Sequence, residues 1–148
     1  MCEKLSRVAP RYALVVSSPL PRAKETAQRI AGRLDAVDPA LLPDLVGHAA
    51  QLFGEMRTLA DWARLLRERD EARVFAEAQL PAWARIASRI GEKEHVLAIS
   101  HGGIIDLPAV AVMERLRVPI DVASFGYGEG LRITYAKGSP TKLEVLRA

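Results

Sequence analysis

Two short apolar runs stop abruptly at polar or glycine residues. The first, Ala13 to Val16, ends at Ser17-Ser18-Pro19, and the second, Val96 to Ile99, ends at Ser100-His101-Gly102-Gly103. Short apolar runs bounded in this way are typical of strands that are buried on both faces of a parallel sheet. We therefore predict a buried strand at each run.

A helical pattern follows each predicted strand. After the first strand, apolar residues recur at the spacing of one helix face: Leu20, Ala23, Ala27, Ile30 and Leu34. Ser18 is placed to cap this helix, with Pro19 at its first position. Beyond the glycines, Ile104 to Leu116 carries apolar residues at helical spacing. The sequence therefore predicts two units of strand, tight turn and helix.

The middle of the chain gives weaker patterns. Residues 35–51 read as a loop that holds a short strand at Ala40 to Leu42. Two helical stretches follow; Thr58 is placed to cap the first, while Pro81 should kink or divide the second, which should stop at Gly91. The aromatic residues in these helices, Trp62 and Trp83, are interpreted as core packing, and the charge run at 64–73 as a solvated face.

The end of the chain reads as a β-hairpin. Leu131 to Ala136 and Lys142 to Leu146 have strand character, and residues 137–140 form the turn between them; a glycine-rich loop at 119–129 precedes the hairpin. Strand–helix alternation ahead of a closing hairpin favours an α/β sandwich with a mostly parallel sheet. At 148 residues, the length predicts a single domain over 1–148.

Composition removes several classes of function. The net charge is +3 and the basic residues are scattered, so a nucleic-acid surface is not favoured. One cysteine, Cys2, excludes an internal disulfide, and with three scattered histidines it gives no zinc-ligand spacing. No apolar run is long enough to span a membrane, and no signal peptide follows Met1. These features predict a soluble cytoplasmic protein without a membrane partner.

Arg22 and His101 are the polar residues at the two predicted strand-to-helix junctions. Ligands of open α/β sheets bind at the carboxyl ends of the strands, and helix N-termini there favour anions. A guanidinium matches phosphate oxygens with paired donors, and a histidine can transfer a proton or attack phosphorus. If the two strands are near neighbours, the pattern indicates phosphate-ester binding or phosphoryl transfer. A loop histidine with a partner of its own is the alternative for His101.

Both junctions resemble motifs of one protein family. The segment Ser17 to Ala27, which reads SSPLPRAKETA, resembles the second motif of the histidine phosphatase (phosphoglycerate mutase-like) superfamily, and Val96 to Ile104, which reads VLAISHGGI, resembles its late histidine motif. The resemblance extends over essentially the whole chain, with a loose match in the middle third. It implies a three-layer α/β sandwich with a mostly parallel sheet.

The resemblance also implies a chemistry. Family members transfer phosphoryl groups through a phosphohistidine without a metal or other cofactor, and an acidic residue donates the proton. By this match, Arg22, His101 and Gly102 bind the phosphate of a phosphorylated small molecule, and His101 is also catalytic. Glu55 is the candidate proton donor, with a plain surface glutamate as its alternative and Asp44 as the reserve.

The family's nucleophile motif, Arg-His-Gly, does not occur in these 148 residues. His48 is followed by alanine, and His95 precedes its predicted strand instead of ending it. The strand that carries the nucleophile is expected in the interior of the sheet, between the strands that lead to Arg22 and His101. We therefore expect the chain to be N-terminally truncated relative to the family and, by itself, inactive.

Three functional interpretations follow. The first is a phosphoesterase or mutase-like domain that acts when the missing first strand is present. The second is a pseudoenzyme that binds phosphate esters or anions without turnover. The third, a nucleic-acid or scaffold protein, rests only on an isoelectric point near 9.3. An uncovered sheet edge would also favour a homodimer.

Overall fold

The structure is a computed structural model and describes residues 11–43, 56–120 and 122–147. The elements, in chain order within each type, are the helices α1 (Pro21–Ala31), α2 (Leu59–Glu68), α3 (Asp70–Ala87) and α4 (Asp106–Leu116), and the strands β1 (Tyr12–Ser17), β2 (Ala36–Val37), β3 (His95–Ile99), β4 (Gly130–Ala136) and β5 (Ser139–Leu146). Within the described ranges, no helix is long and apolar enough to cross a membrane.

A parallel sheet of three strands, in the order β2-β1-β3, forms one half of the described fold. β1 lies in the middle, and Val15, Val16 and Ser17 near its carboxyl end are buried. A central strand covered on both faces must be apolar throughout, which is the pattern that predicted it. The expected α/β fold with a parallel sheet is confirmed.

The strands that lead to Arg22 and His101 pair directly. Ser17 at the end of β1 lies opposite Ile99 at the end of β3, and the Ser18 N–H donates to the Ile99 carbonyl over 2.9 Å. The expectation of an interior strand between them is therefore wrong, because their backbone groups bond each other. Within the described ranges, the other edge of β3 carries no strand, and β4 and β5 form a separate antiparallel sheet.

Helix α1 packs on the sheet through small and apolar residues, and Ala23, Ala27 and Ile30 are buried. It begins at Pro21 and not at Pro19, and its N-cap is Leu20, which makes no side-chain cap. The predicted Ser18 cap is wrong because the backbone at Ser18 still bonds β3, so the chain turns into the helix only afterwards. A left-handed Gly32, with φ of 72°, ends the helix.

Two details of the middle region differ from the prediction. Residues 40–42 are not a strand: Pro39–Leu41 form a 3₁₀ turn, because Asp38 accepts the Ala40 N–H over 2.9 Å and nucleates a turn. Helix α3 runs through Pro81 without division and ends at Ala87, before Gly91. Pro81 is exposed, so the carbonyl that loses its helix bond lies on the side of the helix that water reaches.

The helices and the hairpin share an apolar core. Its members come from α2, α3, α4, the loop before β4, and β5, and a smaller cluster under the parallel sheet contains Val16, Leu41 and Ile86. Trp83 packs against both clusters, and Trp62 is 2% exposed with its indole N–H donating to Ser124 Oγ over 2.9 Å. The interpretation of both tryptophans as core residues is confirmed.

Thr58 caps α2 as the sequence predicts. Its hydroxyl accepts the Asp61 N–H over 3.1 Å, and the Asp61 carboxylate accepts the Thr58 N–H over 2.9 Å, which makes a reciprocal capping box. We expect Thr58→Ala to lower the free energy of unfolding by about 1 kcal/mol. Chemical denaturation measures this loss, with Thr58→Ser, which keeps the hydroxyl, as the control. Equal stability of the alanine and serine variants would contradict a stabilising cap.

Candidate active site

The candidate site lies at the carboxyl ends of β1 and β3. Because these strands are parallel neighbours in register, the residues that follow them emerge at the same edge of the sheet. Arg22 lies exposed in the first turn of α1, and His101 lies half-buried just after β3. The positive charge of Arg22 acts on the His101 ring. The tertiary structure therefore brings together the two residues that the sequence singled out.

The His101 ring has a direct partner on the neighbouring strand. Its Nε2 atom lies 2.6 Å from Ser18 Oγ, a short hydrogen bond that joins residues 83 positions apart in the chain. Ser18 is completely buried, whereas His101 is only partly buried. His101 therefore has a hydrogen-bond partner of its own, as the alternative interpretation expected. That partner, Ser18, lies at the same strand ends as Arg22.

His101 favours its neutral form. Burial lowers the pKa of the imidazole below its ordinary value, and the charge of Arg22 lowers that pKa further. The depressed pKa adds stability above the ordinary histidine pKa of about 6.5, and this stability is lost as the pH falls below it. At neutral pH the ring is therefore uncharged, with a proton on only one nitrogen.

A tight turn holds His101 between β3 and α4. The Ile105 N–H donates to the His101 carbonyl over 3.1 Å, and Gly103 adopts a positive φ of 79°. Helix α4 begins at Asp106 and not at Ile104. The predicted tight turn is therefore present, and the helix starts two residues later than predicted, so that His101 is separated from the helix N-terminus by the whole turn.

Asp106, which no sequence motif singled out, fastens this turn to the loop before β4. Its Oδ2 accepts the Gly103 N–H over 2.7 Å, and its Oδ1 accepts the Phe125 N–H over 3.1 Å. Burial raises the pKa of Asp106, while these two bonds and the charge of Arg147 lower it. An acidic residue three positions after a glycine turn was the available signal, since that spacing lets a carboxylate cap the turn.

Gly102 leaves the space beside His101 open. It is exposed, and a side-chain carbon built on it would meet only the Phe125 carbonyl, at 3.8 Å. Within the described ranges, its N–H donates no hydrogen bond. An anion can therefore approach this amide closely.

The other sequence candidates lie elsewhere. Glu55, Asp44 and His48 fall outside the described residues. His95 begins β3, so it lies at the opposite end of that strand from His101. In the parts of the chain that the structure describes, no cluster of histidine, cysteine, aspartate and glutamate could hold a metal ion.

We expect His101→Ala to leave the fold intact. The ring is half-exposed and fills little core, so the main cost is the buried Ser18 hydroxyl that loses its partner. The free energy of unfolding should fall by about 1–2 kcal/mol in chemical denaturation. A loss beyond about 4 kcal/mol, the size of a large core truncation, would instead make His101 a core residue.

The fold is that of an α/β protein with a candidate site beyond the ends of parallel strands. Residues 2–123 match the model of the histidine phosphatase superfamily, branch 1. The chain therefore belongs to the histidine phosphatase superfamily, as its motifs indicated, and this membership supports a phosphoryl-transfer function on a phosphorylated substrate.

Solved structures show the same fold. A mycobacterial glucosyl-3-phosphoglycerate phosphatase is similar with a TM-score of 0.58 and 23% identity, over 99% of this chain and 82% of that one. The same enzyme in complex with VO3 is similar with a TM-score of 0.51 and 21% sequence identity, over 97% of this chain and 78% of that one. A mycobacterial hydrolase is similar with a TM-score of 0.55 and 23% sequence identity, over 97% of this chain and 72% of that one. The chain matches no curated protein at the sequence level.

Proposed function

We propose that this chain binds the phosphate group of a phosphorylated small molecule through Arg22, His101 and Gly102. The observation that carries the proposal is the direct parallel pairing of β1 with β3, which brings Arg22 and His101 to one edge of the sheet. Phosphoryl transfer at this site then requires a nucleophilic histidine supplied from outside the 148 residues, since their sequence contains no Arg-His-Gly motif.

Three kinds of donor would hold the phosphate. The Arg22 guanidinium offers paired N–H groups and a full charge at an exposed position. The Gly102 amide offers a backbone N–H without a partner in the described chain. His101 offers a ring N–H on its open side. Together they match an anion with several oxygens and would stabilise the charge that develops on those oxygens during transfer.

The open edge of β3 supports the requirement for an external histidine. Val96 and Ile99 are half-buried apolar residues of this edge strand, and its outer backbone groups pair with no strand in the described ranges. Edges of this kind are templates for a further strand. A strand added there would end beside His101, where a nucleophile could face the bound phosphate.

The proton donor in this scheme is an acidic residue of the segment between the 3₁₀ turn and α2. Glu55 is our first candidate and Asp44 the second. A general acid protonates the leaving oxygen, so its loss should slow the release of a poor leaving group more than that of a good one. Comparing Glu55→Gln with Asp44→Asn on an alkyl and an aryl phosphate, with free imidazole supplied as the nucleophile, tests the choice.

A binding protein without turnover is the second candidate. Its support is the missing nucleophile motif together with the Ser18 bond, which engages Nε2 of the site's own histidine. His101 is therefore poorly placed to replace the nucleophile.

The decisive experiment combines anion binding with chemical rescue. Binding of inorganic phosphate is measured by calorimetry, and hydrolysis of an aryl phosphate is measured with and without added imidazole. Free imidazole can take the phosphoryl group through its nitrogen, expel the aryl oxide and then lose the phosphoryl group to water. We expect phosphate binding, negligible hydrolysis alone, and hydrolysis that rises with imidazole.

The outcomes separate the two candidates. Imidazole-dependent hydrolysis that disappears in Arg22→Ala supports a phosphoryl-transfer site that lacks only its nucleophile. Phosphate binding without rescue supports the binding protein. Absence of phosphate binding would overturn both.

A further inference from the structure

We propose that Ser18 is a positioning residue that holds His101 with its ring proton on Nδ1, so that the ring presents an N–H donor to a bound anion. This inference rests on the proposed phosphate site and adds a residue to it. Its evidence is the contact between Ser18 Oγ and His101 Nε2 at 2.6 Å.

The Ser18 backbone is fixed by two hydrogen bonds. Its backbone N–H donates to the Ile99 carbonyl over 2.9 Å, and its carbonyl accepts the Ser17 hydroxyl over 2.9 Å. The residue is completely buried between the ends of β1 and β3. The hydroxyl therefore projects from a fixed and buried backbone position, which keeps it within reach of the ring.

The direction of the bond follows from the available acceptors. In the described chain, Ser18 Oγ has no partner except His101 Nε2. If Nε2 carried the proton and donated, the buried hydroxyl would keep a hydrogen without an acceptor, which is costly away from water. If Nε2 is bare, the hydroxyl donates to it and both groups are satisfied. The proton then resides on Nδ1.

The neutral state that this arrangement needs is already favoured. Burial and the Arg22 charge both lower the pKa of His101, and no acidic group among the described residues contributes to that pKa. A donated hydroxyl bond favours the neutral ring further. At neutral pH the ring thus has one proton, and Ser18 decides which nitrogen holds it.

The choice of nitrogen matters for an anion. With the proton on Nδ1, that nitrogen donates to a phosphate oxygen. With the proton on Nε2, Nδ1 would present a lone pair, which repels the same oxygen. Ser18 therefore fixes which nitrogen of His101 carries the proton, so that Nδ1 donates to the anion. Ser18 itself would not contact the anion.

Nitrogen-15 NMR of the ligand-free protein tests this assignment, because the chemical shifts of the two ring nitrogens distinguish a protonated from a bare nitrogen. The signals of His101 are identified by their loss in His101→Ala. We expect the proton on Nδ1 in the unmodified protein. In Ser18→Ala the proton should move toward Nε2, the position that free histidine favours, and the pKa of His101 should rise by about 0.5–1 unit.

Two further variants control the result. Ser17→Ala removes an equally buried hydroxyl that bonds the Ser18 carbonyl and not the ring, so the tautomer should stay unchanged. Ser18→Cys keeps the size of the side chain but has a weak donor, and it serves if Ser18→Ala does not fold. A proton on Nε2 in the unmodified protein, or a tautomer insensitive to both Ser18 variants, would overturn the inference.

Phosphate titrations distinguish this inference from the proposed function. Ser18→Ala should weaken inorganic phosphate binding by about 2- to 10-fold while Ser17→Ala does not. A tautomer change in a protein that never binds phosphate would sustain the Ser18 role and refute the phosphate site. Phosphate binding with an unaltered tautomer in the Ser18 variants would sustain the phosphate site and refute the Ser18 role.

Discussion

Replacing Arg22 with alanine is expected to weaken the binding of inorganic phosphate by about 10- to 150-fold. The guanidinium is the only cation whose charge acts on His101 in the described chain, and it can form a bidentate pair with phosphate oxygens. Arg22 is exposed in the first turn of α1 and is absent from the core, so its removal should leave the fold unchanged. Calorimetry at fixed ionic strength measures the loss.

Two variants make the Arg22 result specific. Arg29→Ala removes an exposed arginine from the last turn of the same helix, far from the strand ends, and should leave phosphate affinity unchanged. Arg22→Lys keeps the charge but lacks the planar guanidinium, so its phosphate affinity should fall between those of Arg22→Ala and Arg29→Ala. Arg22→Ala should also raise the pKa of His101, since the Arg22 charge lowers it. Unchanged affinity with a raised His101 pKa would place the anion elsewhere.

Asp106→Ala should produce the largest loss of stability, about 2–4 kcal/mol in the free energy of unfolding. The carboxylate is 1% exposed and accepts two backbone N–H groups, from Gly103 and Phe125. Truncation leaves the buried Phe125 N–H and the partly buried Gly103 N–H without a partner, and it releases the His101 turn from the loop before β4. Chemical denaturation measures the stability, and phosphate binding should weaken as the turn loosens.

Asp106→Asn separates the hydrogen bonds from the charge. An amide oxygen can accept only one of the two N–H groups, so we expect an intermediate loss. Because burial raises the pKa of Asp106, the folded state disfavours its ionised form, and the stability advantage over Asp106→Asn should shrink as the pH rises from about 4 through that pKa. An alanine variant as stable as the parent would show that the carboxylate is not a structural fastener.

Local sequence pattern was sufficient where the neighbouring residues decide the structure. The apolar runs predicted β1 and β3 to within one or two residues, and the cap at Thr58 was read from its position before an apolar periodicity. The local pattern gave the wrong helix boundary where contacts with a distant part of the chain decide it. The start of α1 moved from Pro19 to Pro21 because β3, some 80 residues away, bonds the backbone at Ser18.

The sheet order shows the same limit. Sequence motifs identified Arg22 and His101, but the order expected from the family resemblance placed a strand between β1 and β3, whereas the two pair directly. Hydrogen bonding between strands depends on which edges meet in space, and no residue of either strand encodes its neighbour by itself. Asp106 was missed for a related reason, because one of its two partners, Phe125, lies 19 positions away.

By itself, the sequence determined the two strand-to-helix units, the residue types at their junctions and the family to which they belong, because these depend on short-range periodicity and motif. Only the tertiary structure decided that Ser18 serves His101 instead of capping α1, and that Asp106 fastens the His101 turn. Buried polar groups must find partners wherever the fold places them, and those partners are chosen across the sheet edge and not along the chain.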